Sequence, residues 1–239
     1  MLARQPQAEG EEDVKNCMSY FVTGTDTDVG KTLISCALLH AFAEQGYRVI
    51  GMKPVAAGGC DDNEHNEDAK KLRASSNVQA SFGQINPYCF AHAVAPHLAA
   101  RFVGVSINLD RVVQSYGELA AQSDVVIVEG AGGFKVPLND HQDIADLAIR
   151  LELPVILVVG MRLGCINHAL LTVNAVDASG LKLAGWVANV VDANMAMRDE
   201  NIAALKLRIA APLLGVVPYQ AVPDAKDAAK ELDLRLLAQ

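Results

Sequence analysis

The stretch FVTGTDTDVGKTLIS, Phe21 to Ser35, joins an apolar run to a helical pattern through a loop that ends in Gly30-Lys31-Thr32. A phosphate-binding loop reads G-x-x-x-x-G-K-[ST]. Here five residues lie between Gly24 and Gly30, and Thr25 stands where the first glycine belongs. Strand, loop, GKT and helix nevertheless follow in the required order. In that arrangement backbone N–H groups and a helix N-terminus face one cavity and favour an anion. Lys31 would reach phosphate oxygens, and the Thr32 hydroxyl would ligate Mg²⁺. The competing reading is a chance GKT that opens an ordinary helix.

Outward from this loop, strand and helix patterns alternate. SYFVTG, RVIGMKP, DVVIVEG, PVILVVG, LAGWVANV and PLLGVVP read as strands. TLISCALLHAFAEQG, DAKKLRASS, LDRVVQSYGELAAQ, DIADLAIRLE, INHALLTVNAVDASG and NMAMRDENIAALKLRI read as helices. Near-continuous apolar strands between helices imply an α/β fold whose mostly parallel sheet has helices on both faces. Ligands of such sheets bind beyond the carboxyl ends of the strands.

Three more residues fall there. VIVEGAGG sets Glu129 at a strand end before what read as flexible glycines. GMKPVAAGG sets Lys53 at the end of the second strand, beside the first. NEDAKKL supplies Asp68 near a helix start. Taken singly, each has a plain alternative: a solvated acid, a surface lysine, a capping carboxylate. Two acids and two lysines around one phosphate loop point to metal-assisted phosphoryl transfer.

Bulk properties narrow the class. A chain of 239 residues, 51% apolar and 20% charged, suits one globular domain. Residues 1–18 read as an N-terminal extension without signal-peptide character, and 19–239 as a single domain. A net charge of −8 argues against a general nucleic-acid binder. The longest apolar run, LPVILVVG, is far too short for a membrane span. Five scattered cysteines with no C-x-x-C pair read as reduced thiols in a cytoplasmic protein. The histidines show no metal spacing, and His168, inside a helix, reads as packed or interfacial.

FVTGTDTDVGKT, KPVAAGG, NPYCF, APH, VEGAGG, PVILVVGMRLGCINHALLT and AGWVANVV together resemble the dethiobiotin synthetase family, over roughly Ser19 to Tyr219. That family's loop has the same five-residue spacing, so the resemblance accounts for the variant and implies a P-loop NTPase-type fold. It further implies ATP- and Mg²⁺-dependent ring closure on 7,8-diaminononanoate with CO₂, in biotin biosynthesis, through a carbamate and a carbamic–phosphoric anhydride. By resemblance, Asp28, Val29, Gly30, Lys31, Thr32 and Leu33 cradle the phosphates. Thr32, Asp68 and Glu129 hold Mg²⁺, with Gly130, Ala131 and Gly132 alongside. Lys53 neutralises the carbamate and the attacked phosphate, Thr27 faces the diamine, and Ala57 lies in the substrate site. Asn189 and Val190 meet adenine, with Pro218, Tyr219 and Gln220 lining it. Asp224 falls near the nucleotide, although the spacing after Pro218 differs. Gly164, Cys165 and Asn167 receive the substrate carboxylate from a neighbouring subunit, which implies a homodimer with shared sites.

This chain departs from the family at three points: Ala57 where serine is frequent, Asp28 for a commoner glutamate, and Phe134-Lys135 after VEGAGG. Two other classes share parts of the pattern. Partition-type ATPases carry an early loop lysine, absent here before Lys31. Cobyrinate amidase-type synthetases usually need a glutaminase domain, for which the chain ends too soon.

Overall fold

Apolar strands buried on both faces build the centre of the molecule. The computed structural model describes residues 17–61 and 65–238. The main-sheet strands are β1 (Met18–Gly24), β2 (Val49–Met52), β5 (Val125–Gly133), β6 (Val155–Met161), β7 (Leu183–Val190) and β8 (Leu213–Val217). β3 (Val55–Ala57) and β4 (Tyr88–Phe90) form a separate parallel pair. The helices are α1 (Lys31–Glu44), α2 (Glu67–Ser75), α3 (Phe82–Ile85), α4 (Pro96–Phe102), α5 (Leu109–Ala120), α6 (Ile144–Leu151), α7 (Cys165–Ala178), α8 (Arg198–Lys206) and α9 (Ala225–Ala229), followed by a 3₁₀ turn at Leu234–Ala238. The extension expected over 1–18 lies outside the described residues up to position 16, and Met18 already belongs to β1.

The six strands run in the order β2-β5-β1-β6-β7-β8, every pair parallel. One expectation fails here. The second strand is not beside the first, because β5 lies between them. Chain order suggested adjacency, but the long connection from β2 to β5 places the later strand inside.

Successive strand residues face opposite sides. Val22, Ile156, Val158 and Val187 pack under α1, Leu72 of α2 and the Ala228–Ala229 pair of α9. Phe21, Ile50, Met52, Val126 and Val128 pack under α5 and α6, while Leu157, Val159 and Trp186 pack under α7 and α8. With helices over both faces, such a sheet presents its chemistry in the loops beyond the strands' carboxyl ends.

The reduced-thiol expectation is also overturned. Cys60 and Cys89 form a disulfide, whereas Cys17, Cys36 and Cys165 are free. The cause is the small sheet. Ala56 pairs with Cys89, and the chain beyond β3 turns through Gly58 and Gly59, both at positive φ, to bring Cys60 to within 6.8 Å Cα–Cα of Cys89. A search for closely spaced cysteines misses a pair 29 residues apart that is joined by strands of three residues each. The free Cys36 thiol is inert by environment: burial pushes it up to about 12. No helix among the described residues is long and apolar enough to cross a membrane.

Candidate active site

Parallel register brings the chemistry together. Val22 pairs with Glu129 and Met52 with Val128, so Lys53, one residue past β2, arrives level with Glu129. Its Nζ lies 2.6 Å from Glu129 Oε1 and 3.2 Å from Asp68 Oδ2. Thr32, the second residue of α1, donates its hydroxyl to the same Glu129 Oε1 at 2.8 Å. The plain alternatives for all three residues are thereby excluded. Glu129 is fully buried, and Lys53 is 5% exposed. Asp68 does not cap α2; Asn66 does, accepting from the amides of Asp68 and Ala69.

A buried lysine between two carboxylates is tightly charge-coupled. Burial alone would discharge the Lys53 ammonium, but Glu129 and Asp68 outweigh it and raise its pKa above the ordinary lysine value. Burial likewise disfavours the Asp68 carboxylate, yet Lys53 and the Thr32 hydroxyl hold it below the ordinary range.

Lys31 behaves differently. It is 7% exposed, and its Nζ donates 2.9 Å to the Asp26 carbonyl, inside its own loop. Burial, then the neighbouring Lys53 charge, lower its pKa to about 8. The loop is shaped by Asp28 at φ 58° and by Gly30 at φ 89°, the residue preceding α1. A methyl group on Gly30 would overlap the Asn189 amide, which donates 2.9 Å to the Val29 carbonyl. Val29 is buried against Gly24 and Gly160, where added side chains would collide with it. The glycines on either side of Val29 thus let three strand ends close around the loop.

Other expected residues lie along the same edge. Thr27 is exposed, and its hydroxyl approaches Gly132. Gly130, Ala131 and Gly132 are not a flexible turn; β5 continues through them to Gly133, which pairs with Gly24 after a register shift. Asn189 and Val190, ending β7, are buried, and Pro218 and Tyr219 beyond β8 are exposed. Gln220 accepts the Asp224 amide, and Asp224 is spent on capping α9. Leu33 is half-buried in α1, and Ala57 ends β3 half-buried. Gly164, Cys165 and Asn167 stand at the β6–α7 turn, apart from the Lys53 cluster: Gly164 and Asn167 are exposed, and Cys165 is buried with its amide on the Arg162 carbonyl. His168 is exposed, not packed. Phe134 is buried, and Lys135 pairs with Asp143 at 2.5 Å.

Arg162, inside the quoted PVILVVGMRLGCINHALLT, was not singled out, yet its Nη2 reaches Asp26 Oδ2 at 2.6 Å across 136 residues. Asn86, which opens the quoted NPYCF, was given no role there; it is buried and donates to the Lys53 carbonyl at 2.6 Å.

The donor set fits a hard divalent cation. Glu129 Oε2 is buried with no hydrogen-bond partner, while its Oε1 accepts the Thr32 hydroxyl, which also interacts with the Asp68 carboxylate. Among the described residues no cluster of three or more His, Cys, Asp or Glu side chains forms. Two carboxylates and a hydroxyl, completed by phosphates and water, suit Mg²⁺ rather than a metal needing an all-protein cage. The loop amides and the α1 N-terminus suit a nucleotide's phosphates.

A parallel sheet whose first strand runs through a GKT loop into a helix, with an acid on the adjacent strand, defines a P-loop NTPase. An AAA domain family model matches residues 18–226. The MinD cell division protein of Aquifex aeolicus superposes with a TM-score of 0.55 at 14% identity, covering 93% of this chain and 98% of that one, a likeness of fold. Curated relatives are far closer in sequence. The ATP-dependent dethiobiotin synthetase BioD of Aromatoleum aromaticum is 55% identical over 90% of this chain and 97% of its own. That of Nitrosospira multiformis is also 55% identical, over 90% and 94%. The chain belongs to the ATP-dependent dethiobiotin synthetase family.

Proposed function

We propose that this protein is an ATP- and Mg²⁺-dependent ligase that closes a ureido ring on 7,8-diaminononanoate with CO₂, yielding dethiobiotin for biotin synthesis in the cytoplasm. The observation that carries it is the Lys53–Glu129–Thr32–Asp68 cluster beside the phosphate loop, in a chain with 55% identical dethiobiotin synthetase relatives.

In this reading one amine of the substrate takes up CO₂ as a carbamate and releases a proton. A carbamate oxygen attacks the γ-phosphorus of ATP, and ADP leaves. The second amine then attacks the carbonyl of the mixed anhydride. Phosphate departs, and the ring is closed. The chain's own work is positioning and charge neutralisation. Lys31 and the amides of 28–33 hold the phosphates. Lys53 neutralises the carbamate and the phosphate it attacks. Thr27, Ala57 and the strand-held Gly130, Ala131 and Gly132 flank the diamine and phosphates. Thr32, Asp68 and Glu129 would hold Mg²⁺, which supplies charge neutralisation at the transferring phosphoryl group. Asn189, Val190, Pro218, Tyr219 and Gln220 form the base side, with Asn189 also bracing the loop.

The exposed turn Gly164–Asn167 serves the substrate carboxylate of a second copy, in a C₂ homodimer with shared sites. The open α7 amides there are those of Ile166 and Asn167, since Cys165 and His168 amides are bonded to the Arg162 and Gly164 carbonyls. Residues 19–239 act as one catalytic unit.

The test is phosphate release from ATP with the diamine and bicarbonate supplied together or singly. Release is expected only with both, with dethiobiotin formed in equal amount. Equal release without the diamine would refute the synthetase reading in favour of a switch ATPase.

A further inference from the structure

A loop built for polyphosphate here contains two aspartates, Asp26 and Asp28, against a single lysine. Like charges beside an anion lower its affinity, so something must offset them. Arg162, in the turn after β6, is the cation that does so on one side. Its guanidinium binds Asp26 Oδ2 at 2.6 Å, with the two side chains 40% and 47% exposed.

Asp26 is in turn the organiser of the loop. Its Oδ1 accepts the Thr27 amide at 2.8 Å, and its carbonyl accepts Lys31 Nζ at 2.9 Å. The Thr25 amide is fixed to the Val158 carbonyl of β6 at 3.1 Å, which anchors the loop's first residue to the same strand that leads to Arg162. Arg162 also accepts the Cys165 amide at its carbonyl, so its backbone is tied to the first turn of α7.

We propose that Arg162 is a positioning residue of the nucleotide site: it cancels the Asp26 charge and holds Asp26 in the orientation that sets Thr27 and Lys31 for phosphate. This rests on the phosphate-loop reading above but not on the identity of the acceptor substrate. The effect of Arg162 passes through Asp26, and removal of Asp26's charge makes it dispensable.

The experiment is a double-mutant cycle read by ADP binding in calorimetry on the full chain, with thermal melting as a fold control. R162Q is expected to weaken ADP about tenfold, the effect of one partly screened charge next to an anion. The loss should shrink at 0.5 M salt, where a purely structural defect would persist. R162K, which keeps the cation, should bind within about threefold of the parent. In the D26N background, R162Q should change affinity less than twofold. A full tenfold loss in D26N protein would overturn the proposal, because Arg162 would then act on the ligand or the fold directly. Should R162Q melt too low to assay, R162K and the D26N/R162Q pair carry the same decision. Failure of the parent protein to bind ADP would instead refute the phosphate-site reading.

Discussion

Replacing Lys53 with methionine isolates the energetics of the buried cluster. Methionine keeps most of the volume and removes the ammonium that lies 2.6 Å from Glu129 and 3.2 Å from Asp68. Asp68 retains solvent contact and can rehydrate, but Glu129 is fully buried and its second oxygen has no partner. Removing one partner of a buried ion pair typically costs about 3–5 kcal/mol, mostly from stranding the other charge. For a chain of this size about 3 kcal/mol corresponds to a fall of roughly 6–12 °C in melting temperature. Lys53→Met/Glu129→Gln should recover more than half of that loss, since the stranded charge is gone. The pH dependence has a definite sign. Asp68 is held below its ordinary value of 3.8, so its share is present above the carboxylate range and is lost as pH falls. Lys53 is held above 10.5, so its share is present below that value and is lost only in stronger alkali. The penalty should therefore be flat through neutral pH and shrink in acid. Urea unfolding at pH 7 with the single and double variants is the assay. A Lys53→Met protein within about 0.5 kcal/mol of the parent would refute the ionic description of the cluster.

Other expected outcomes concern the loop and the disulfide. Lys31, lowered to about 8, loses its proton above that pH in the free protein. Phosphates favour the ammonium, so nucleotide binding above pH 8 should take up a proton and weaken by up to about tenfold per pH unit. Calorimetry in buffers of different ionisation enthalpy counts that proton, and zero uptake at pH 8.5 would contradict the assignment. Gly30→Ala forces a side chain to φ 89° and into the Asn189 amide. It should cost at least about 1–2 kcal/mol from the backbone alone and weaken nucleotide binding. Asn189→Ala in the same chain should relieve the collision but not the backbone cost, as unfolding midpoints will register. Reducing Cys60–Cys89, separated by 29 residues, should lower stability by about 3.6 kcal/mol on chain-entropy grounds. The reductant should have no effect on a Cys60→Ser/Cys89→Ser protein, and an unmoved midpoint after thiol titration counts two new thiols would refute the estimate.

The main-sheet strands were legible because burial on both faces leaves long apolar runs such as VVIVEG and VILVVGM. β3 and β4, three residues each, carry no periodicity to read, and with them went the disulfide. The NMAMRDENIAALKLRI pattern began too early, because Met197 adopts φ 53° and α8 starts only at Arg198. That Lys31, Thr32, Lys53 and Glu129 would gather at one end of the sheet could be anticipated, because parallel sheets present side chains just past strand ends, which sequence order does reveal. The position of β5 between β1 and β2 could not be found. Nor could the Asp26–Arg162 pair, which depends on β6 being the other neighbour of β1. Local pattern fixes where a strand ends, whereas strand order decides which ends meet.

The placement of β1 has a consequence for biosynthesis. Its neighbours are β5 and β6, which begin at Val125 and Val155, whereas β1 itself ends at Gly24. At about 5–20 residues per second on the ribosome, the central strand waits on the order of ten seconds for its first neighbour. Through that interval Tyr20, Phe21 and Val22, all buried in the finished protein, have no sheet to join. The phosphate loop and α1 leave the ribosome early, but the scaffold that shapes them is among the later parts to be made. Nascent chains stalled before Val155 should thus remain open to protease at the loop, and those released beyond Met161 should begin to resist it. The GKT loop precedes in the chain both strands that flank β1.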